Sequence, residues 1–455
     1  MYESLINSLN NGNIMEINTL TVFRIKLKNL SSFLKYGFHY RQIRLAVFLV
    51  DLFFLLAFTI SFINDNLFLG ISVPIILLSI FFVISLIREL YGTLSQFHNY
   101  FSHILVEESD VDIDFDKLKV TGEEENLHYR SIVQTRSPSL NVQDVQVAFT
   151  SDSLNVYLQK HSQLDCDINN AKQKRTQDYI SRNKELIFIF LKKHWRDSKY
   201  RYVYFYNEKK LCLAKSLREN QTVYFCEGRY YNTYLTNQIH FKKLTGDRIE
   251  PWFSPLYHRY LDTIPSVSVS PMSDEIGVSS LGITKNGYLV IVTQGLKANS
   301  SNGLLVPTGS GSADWTDYDN EGKDFYQTII NATNRELSEE LGLKLVKDSS
   351  IRTKVIGYFR WLNRGGKPEF VSISFLDMDE DQIYPELKEL KDQSGIRQLV
   401  CFDFGEKRIC GDNIEKELAK FLNCPECSFP LFMNINIFLE YYHNYPGDFE
   451  KFLFG

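Results

Sequence analysis

The chain has 455 residues, of which 44% are hydrophobic and 23% charged, with a net charge of −5 and a mean hydropathy of −0.20. These averages exclude a chain that is apolar throughout, and the acidic balance argues against a general polyanion binder, so no direct DNA or RNA binding is expected. Seven cysteines, odd in number and without a repeat, exclude a secreted disulfide framework and favour reduced thiols.

The first 44 residues read as a basic N-terminal segment carrying Arg24, Lys26, Lys28, Lys35, Arg41 and Arg44. Two apolar runs follow, Leu45 to Ile63 and Leu67 to Ile87, separated by Asn64-Asp65-Asn66. Each approaches the roughly 20 residues that cross a bilayer core. The three-residue break predicts an antiparallel transmembrane hairpin over 45–87. Basic residues lie before the first run and after the second (Arg88), with none in the turn. The positive-inside rule then places both termini in the cytoplasm of a two-pass inner-membrane protein. Asp51 falls inside the first run, where a carboxylate costs at least about 2.5 kcal/mol on insertion scales. It is either a pore residue sheltered by the same residue of neighbouring chains or a group solvated near the interface.

Residues 88–139 read as a helical stalk followed by an acidic linker (Glu107-Glu108, Glu123-Glu124-Glu125). A middle domain of unassigned fold spans 140–270. Within it Tyr200, Tyr202, Tyr204 and Tyr206 alternate onto one strand face, with Thr222 to Phe225 as a partner. Such a face either packs or stacks bases.

From 271 to 455 the rhythm changes. Strands are predicted at Ile276–Ile283, Tyr288–Thr293 and Leu304–Val306, punctuated by Asn286-Gly287 and Asn302-Gly303. A Gly/Ser loop, a helix over Asp324–Leu341, and two strands (Ile351–Leu362, Glu369–Leu376) around Gly365-Gly366 come next. Helices close the chain at Asn413–Leu422, with Asp412 as N-cap, and at Asn434–His443. The order indicates an α+β layered domain, a mixed sheet flanked by helices. Cys424-Pro-Glu-Cys427 has the spacing of half a zinc site, without a second pair, or else is two buried thiols.

The stretch that carries chemistry is Arg335-Glu336-Leu337-Ser338-Glu339-Glu340-Leu341-Gly342-Leu343. On a helix, Glu336 shares an edge with Glu339 and Glu340. Three clustered carboxylates raise one another's pKa unless a cation joins them, and oxygen ligands of this kind suit Mg2+ or Mn2+. Arg335, one turn before Glu339, is placed to pair with it. In the preceding loop, Ser310, Gly311 and Ser312 offer backbone donors to an anion. Arg360, Arg364 and Lys367, on the strand pair after the helix, offer positive charge, and Trp361 or Tyr358 a ring for a base.

This string resembles the second half of a Nudix box. The first half departs from that pattern: the position of a further glutamate is Gln327, and the box glycine's position is Glu321, with Gly322 one place late. Losing a carboxylate weakens a metal cluster more than it weakens phosphate binding. The whole layout resembles the two-helix, Nudix-like membrane effectors of CBASS antiphage systems. That resemblance implies a domain that senses a cyclic oligonucleotide made by a CD-NTase. It also implies a membrane segment that forms a homo-oligomer, disrupts the inner membrane and kills the cell. The alternative is a membrane-anchored, Mg2+-dependent Nudix hydrolase of a nucleoside-diphosphate-linked compound, with Glu336, Glu339 and Glu340 as its catalytic metal ligands.

Overall fold

The structure is a computed structural model. It describes residues 106–455 apart from 112, 115–117, 122–127, 138–141, 184–189, 191–192, 195–206, 247–248, 261–262, 295–303, 342–349, 380–397 and 402–410. Before residue 106 it describes Phe53, Ile80, Val83 and Ile84.

The membrane hairpin expected over 45–87 is corrected. Among the described residues no helix is long and apolar enough to cross a membrane, and the two-pass inner-membrane location falls with the hairpin. A span needs about 20 apolar residues on one continuous helix, and of 45–87 only Phe53, Ile80, Val83 and Ile84 are among the described residues. Phe53, Ile80, Val83 and Ile84 are helical and exposed. Asp51 and the tyrosine-rich run 200–206 lie outside the described residues.

The chain divides into two compact units. Among the described residues, the first (Met1–Ser109, Tyr204–Tyr206, Leu244–Trp252) holds most of a three-stranded sheet in the order Val106–Asp110, Lys242–Gly246, Ile249–Phe253. Val106–Asp110 and His128–Ser137 are strands within the stretch read as stalk and linker.

The second unit holds the main sheet, of nine strands among the described residues. Its order is Leu305–Val306, Tyr288–Thr293, Gly277–Thr284, Lys367–Leu376, Ile351–Trp361, Val142–Thr150, His128–Ser137. Gly309–Ser312 also pairs with Gly277–Thr284, and Gln398–Cys401 with Tyr288–Thr293. Gly277–Thr284 and Lys367–Leu376 run parallel, making the sheet mixed. Tight turns join neighbours where glycine supplies positive φ, at Gly287 (89°) and at Gly365 and Gly366 (59° and 74°).

Alternation along Gly277–Thr284 explains the layering. Leu281 and Ile283 bury against Ile437, Phe438 and Tyr441 of the helix Phe429–Asn444. Val278 buries with Phe325, Ile329 and Ala332 of the helix Phe325–Glu340. Each fully buried aliphatic or aromatic side chain contributes about 1.5–3 kcal/mol relative to exposure. Helices therefore cover both faces, as the mixed, helix-flanked reading requires.

Residues from the stretch 140–270 enter the same cores. Leu154 and Leu158 of the helix Asp152–Lys160 share a cluster with Val355, Tyr358 and Phe370. A β-bulge between Val355 and Gly357 interrupts the ladder there. The same helix takes up the freed groups: Gln159 Nε2 donates to Ile356 O (2.9 Å), and Tyr358 N donates to Asn155 Oδ1 (2.8 Å). A small sheet, Cys166–Ile168, Val223–Arg229, Lys209–Leu213, adds Leu211, Leu213, Val223 and Phe225 to that cluster.

Candidate functional site

The site starts from two glycines. Gly309 and Gly311 lie on the short strand that pairs with Gly277–Thr284. A Cβ on Gly309 would stand 2.8 Å from Leu337 Cδ2, and one on Gly311 would stand 2.2 Å from the carboxyl carbon of Glu336. The alternation of glycine with serine in Gly309-Ser-Gly-Ser312 thus lets the helix Phe325–Glu340 lie directly on the strand. Asp324 caps that helix, accepting from Tyr326 N at 2.9 Å. Its inner stripe, Phe325, Ile329, Ala332 and Leu337, is buried. Burial of that stripe fixes the opposite edge, which carries Arg335, Glu336, Glu339 and Glu340, over the loop.

Arg335 organises the edge. Its Nε donates to both Asp317 oxygens (3.0 and 3.3 Å), and its Nη2 to Asp317 Oδ2 (2.9 Å) and Ser312 O (3.0 Å). Its Nη1 donates to Glu336 Oε1 (2.9 Å) and Glu339 Oε2 (3.4 Å). Burial opposes its charge, but Asp317 and Glu336 outweigh that and hold the guanidinium charged. Burial pushes the Glu336 carboxyl up to about 6; Arg335 and Lys210 pull it down, and Glu339 adds to the rise. Glu340 Oε2 accepts from Ser310 N at 3.3 Å. Glu339 is 47% exposed.

The structure therefore brings Ser310, Gly311 and Ser312 together with Glu336, Glu339 and Glu340. Among the described residues no group of three or more potential ligands is close enough to hold a metal by itself, and Arg335 donates to both Glu336 and Glu339. The donor set nevertheless suits a hard cation. Mg2+ is commonly held by one or two carboxylates completed by phosphate oxygens, and Glu339, which shares the Arg335 guanidinium with Glu336, is half exposed. Glu336, Glu339 and Glu340 are the side chains that would hold such an ion, whose chemistry is to neutralise phosphate charge. Gln327 is exposed, and its amide donates to Asn331 Oδ1 at 2.8 Å. It supplies no carboxylate.

The basic residues expected as ligand contacts go elsewhere. Arg360 is fully buried and donates to Gly366 O (2.9 Å) and Pro265 O (3.2 Å). Lys367 is buried against Glu369 at 2.6 Å. Arg364 lies over the Trp361 ring at 4.0 Å, and Trp361 Nε1 donates to Gln146 Oε1 at 2.8 Å. Tyr358 packs on Phe370 in the core. Arg360 and Lys367 lie on interior strands of the main sheet, so side chains that look solvated in sequence are enclosed; Arg364 sits in the turn between those strands and is partly exposed. At the other end of the sheet, Cys424 and Cys427 are free thiols. Cys427 is buried in the main core, and burial pushes its thiol up to about 12.

Three residues of the site escaped sequence reasoning. Asp314 and Asp317 form a reciprocal cap, with Asp314 N donating to Asp317 Oδ2 at 2.7 Å. The spacing Asp-x-x-Asp could have signalled it. Lys210, which pairs with Asp314, has no signal in its own neighbourhood.

No family model matches the chain, and no curated protein does. Among solved structures, the chain is similar to DR0079 from Deinococcus radiodurans, known from its crystal structure. The identity is 15%, over 36% of this chain and 81% of that one, with a TM-score of 0.24. At that score the likeness decides nothing about the fold.

Proposed function

We propose that this chain is a nucleotide-responsive protein of antiphage defence, whose Nudix-like site binds a cyclic oligonucleotide of the kind a CD-NTase makes. One observation supports the reading above others. The glycine-spaced strand lays Ser310, Gly311 and Ser312 against Arg335, Glu336 and Glu340, while Gln327 leaves the carboxylate set one short. Binding then outlives catalysis. A ligand that favours an assembled form shifts the population by its differential affinity, which gives the site an output through homo-oligomerisation.

A second reading, a Mg2+-dependent hydrolase of a nucleoside-diphosphate-linked compound, is favoured by the Glu336 carboxyl near 6. A carboxylate poised close to neutrality is suited to proton transfer.

Calorimetric titration of the full chain with a panel of cyclic oligonucleotides, with and without Mg2+, tests the first reading, and chromatography of the recovered ligand separates it from the second. Saturable binding with intact ligand, accompanied by a larger particle in light scattering, is the expected result. Cleaved nucleotide transfers the case to the hydrolase, and no heat from any member of the panel sinks the sensor.

A further inference from the structure

The stretch between the ligand strand and the box helix, residues 313–325, is gripped at both ends by the small sheet of the middle segment. At one end Leu211 N donates to Ala313 O (2.9 Å), and Lys210 and Asp314 form an antiparallel bridge. At the other, Cys166 N donates to Lys323 O (3.0 Å), Phe325 N to Leu164 O (2.8 Å), and Leu164 N to the capping carboxylate of Asp324 (3.1 Å). A long acidic insertion in a loop would otherwise be free to move its carboxylates. Here the backbone of four residues of another segment, Leu164, Cys166, Lys210 and Leu211, fixes it.

The grip also carries a charged side chain into the network, that of Lys210. It is buried and its ammonium pairs with Asp314. Asp314 Oδ2 lies 3.6 Å from Arg335 Nη2 and belongs to the cap that aims Asp317 at the same guanidinium. Burial opposes the Lys210 charge, yet Glu275, Asp314 and Glu336 together raise its pKa, so the ammonium stays charged beside them. Buried charges of this kind hold their geometry because each is useless and costly without its partner.

We propose that Lys210 is a positioning residue of the box site: through Asp314 it fixes the Arg335 guanidinium, and so the direction in which Glu336 and Glu339 present their oxygens to a phosphate-bound divalent cation. The proposal rests on the reading of the site given above and deepens it. It makes the middle segment a working part of that site.

The test uses the full chain and Mn2+ as the probe, with free Mn2+ followed by electron paramagnetic resonance in the presence of inorganic pyrophosphate. Lys210→Met is expected to weaken Mn2+ retention about tenfold, one lost charge-assisted contact converted at roughly 1.4 kcal/mol per factor of ten. Lys210→Arg restores it to within about threefold, a rescue that loss of packing alone would not give. Where Lys210→Met loses the fold by circular dichroism, the double variant Lys210→Met with Asp314→Asn, which strands no charge, is measured in its place with the same expected loss. Wild-type-like retention in the Met variant overturns the role of Lys210 alone, as does a loss that Arg fails to rescue. A wild-type chain that retains no Mn2+ overturns the reading of the site, and the positioning role with it.

Discussion

Two charge centres in the second unit show how differently a fold uses ionised side chains. Lys172 and Asp274 are sealed, at 1% and 0% exposure, with their partners complete. Lys172 Nζ donates to Asp274 Oδ2 (2.5 Å), Val267 O and Ser270 O (3.1 Å each), and Asn237 Nδ2 donates to Asp274 Oδ1 (2.9 Å). Burial lowers the Lys172 pKa, and Asp274 opposes that. The Arg335 centre is also dense, but it opens outward through Glu339. The first centre has all its bonds made internally and works as a latch between the helix Ala171–Arg182 and the loop before Gly277. The second keeps oxygens facing solvent, which is what a binding site needs and a latch does not.

The largest effect that would break the contrast is predicted at the latch. Asp274→Ala leaves the Lys172 ammonium buried without a counter-charge and should cost about 3–5 kcal/mol in urea unfolding; a loss under about 1 kcal/mol would mean the centre is not sealed. Next is Gly311→Ala, whose methyl would enter the space of the Glu336 carboxylate. A destabilisation of about 1–3 kcal/mol is expected, together with loss of nucleotide binding in the calorimetric titration.

Glu336 gives the effect of opposite sign. Its folded pKa of about 6 stands above its ordinary value of 4.5, so the folded chain holds this proton more tightly than the unfolded one. Stability therefore falls as pH rises from about 4.5 through 6, by about 2 kcal/mol at most, and this contribution is constant above. Glu336→Gln should remove that slope and leave the variant more stable than the parent at pH 7, read from thermal or urea midpoints across pH 4–8. A slope that persists unchanged in the variant would assign it to another group. The smallest effect belongs to Glu339→Gln. Its half-exposed pairing with Arg335 is worth under about 1 kcal/mol, so stability should hardly move, while Mn2+ retention should drop. A variant that loses stability without losing metal would make the open centre a second latch.

Much of the stretch Asp324–Leu341 was readable in one dimension. The helix predicted over Asp324–Leu341 is Phe325–Glu340, with Asp324 as its N-cap, because cap, apolar stripe and carboxylate spacing are all local features. The strand Tyr288–Thr293 falls on its predicted bounds. The contact of Arg335 with Glu339 follows from helical geometry and is present. Asp412, expected to cap the helix Asn413–Leu422, lies inside the helix Gly411–Leu422. Arg360 and Lys367 misled, because whether a hairpin is an edge or an interior pair depends on what docks beside it. Here Val142–Thr150, some two hundred residues earlier, pairs with Phe359–Trp361.

By itself, then, the sequence determined the helix Phe325–Glu340, its cap, the glycine spacing before it and the pairing of Arg335 along one helical face, all of which act over a few residues. Only the tertiary structure decided that Lys210 and Asp314 meet across 104 positions and that Arg360 is enclosed. It also decided that no described helix has the length and apolarity of a membrane span. The physical reason is that burial and long-range ion pairing depend on which surfaces come together, and periodicity specifies a face without naming the surface that will cover it.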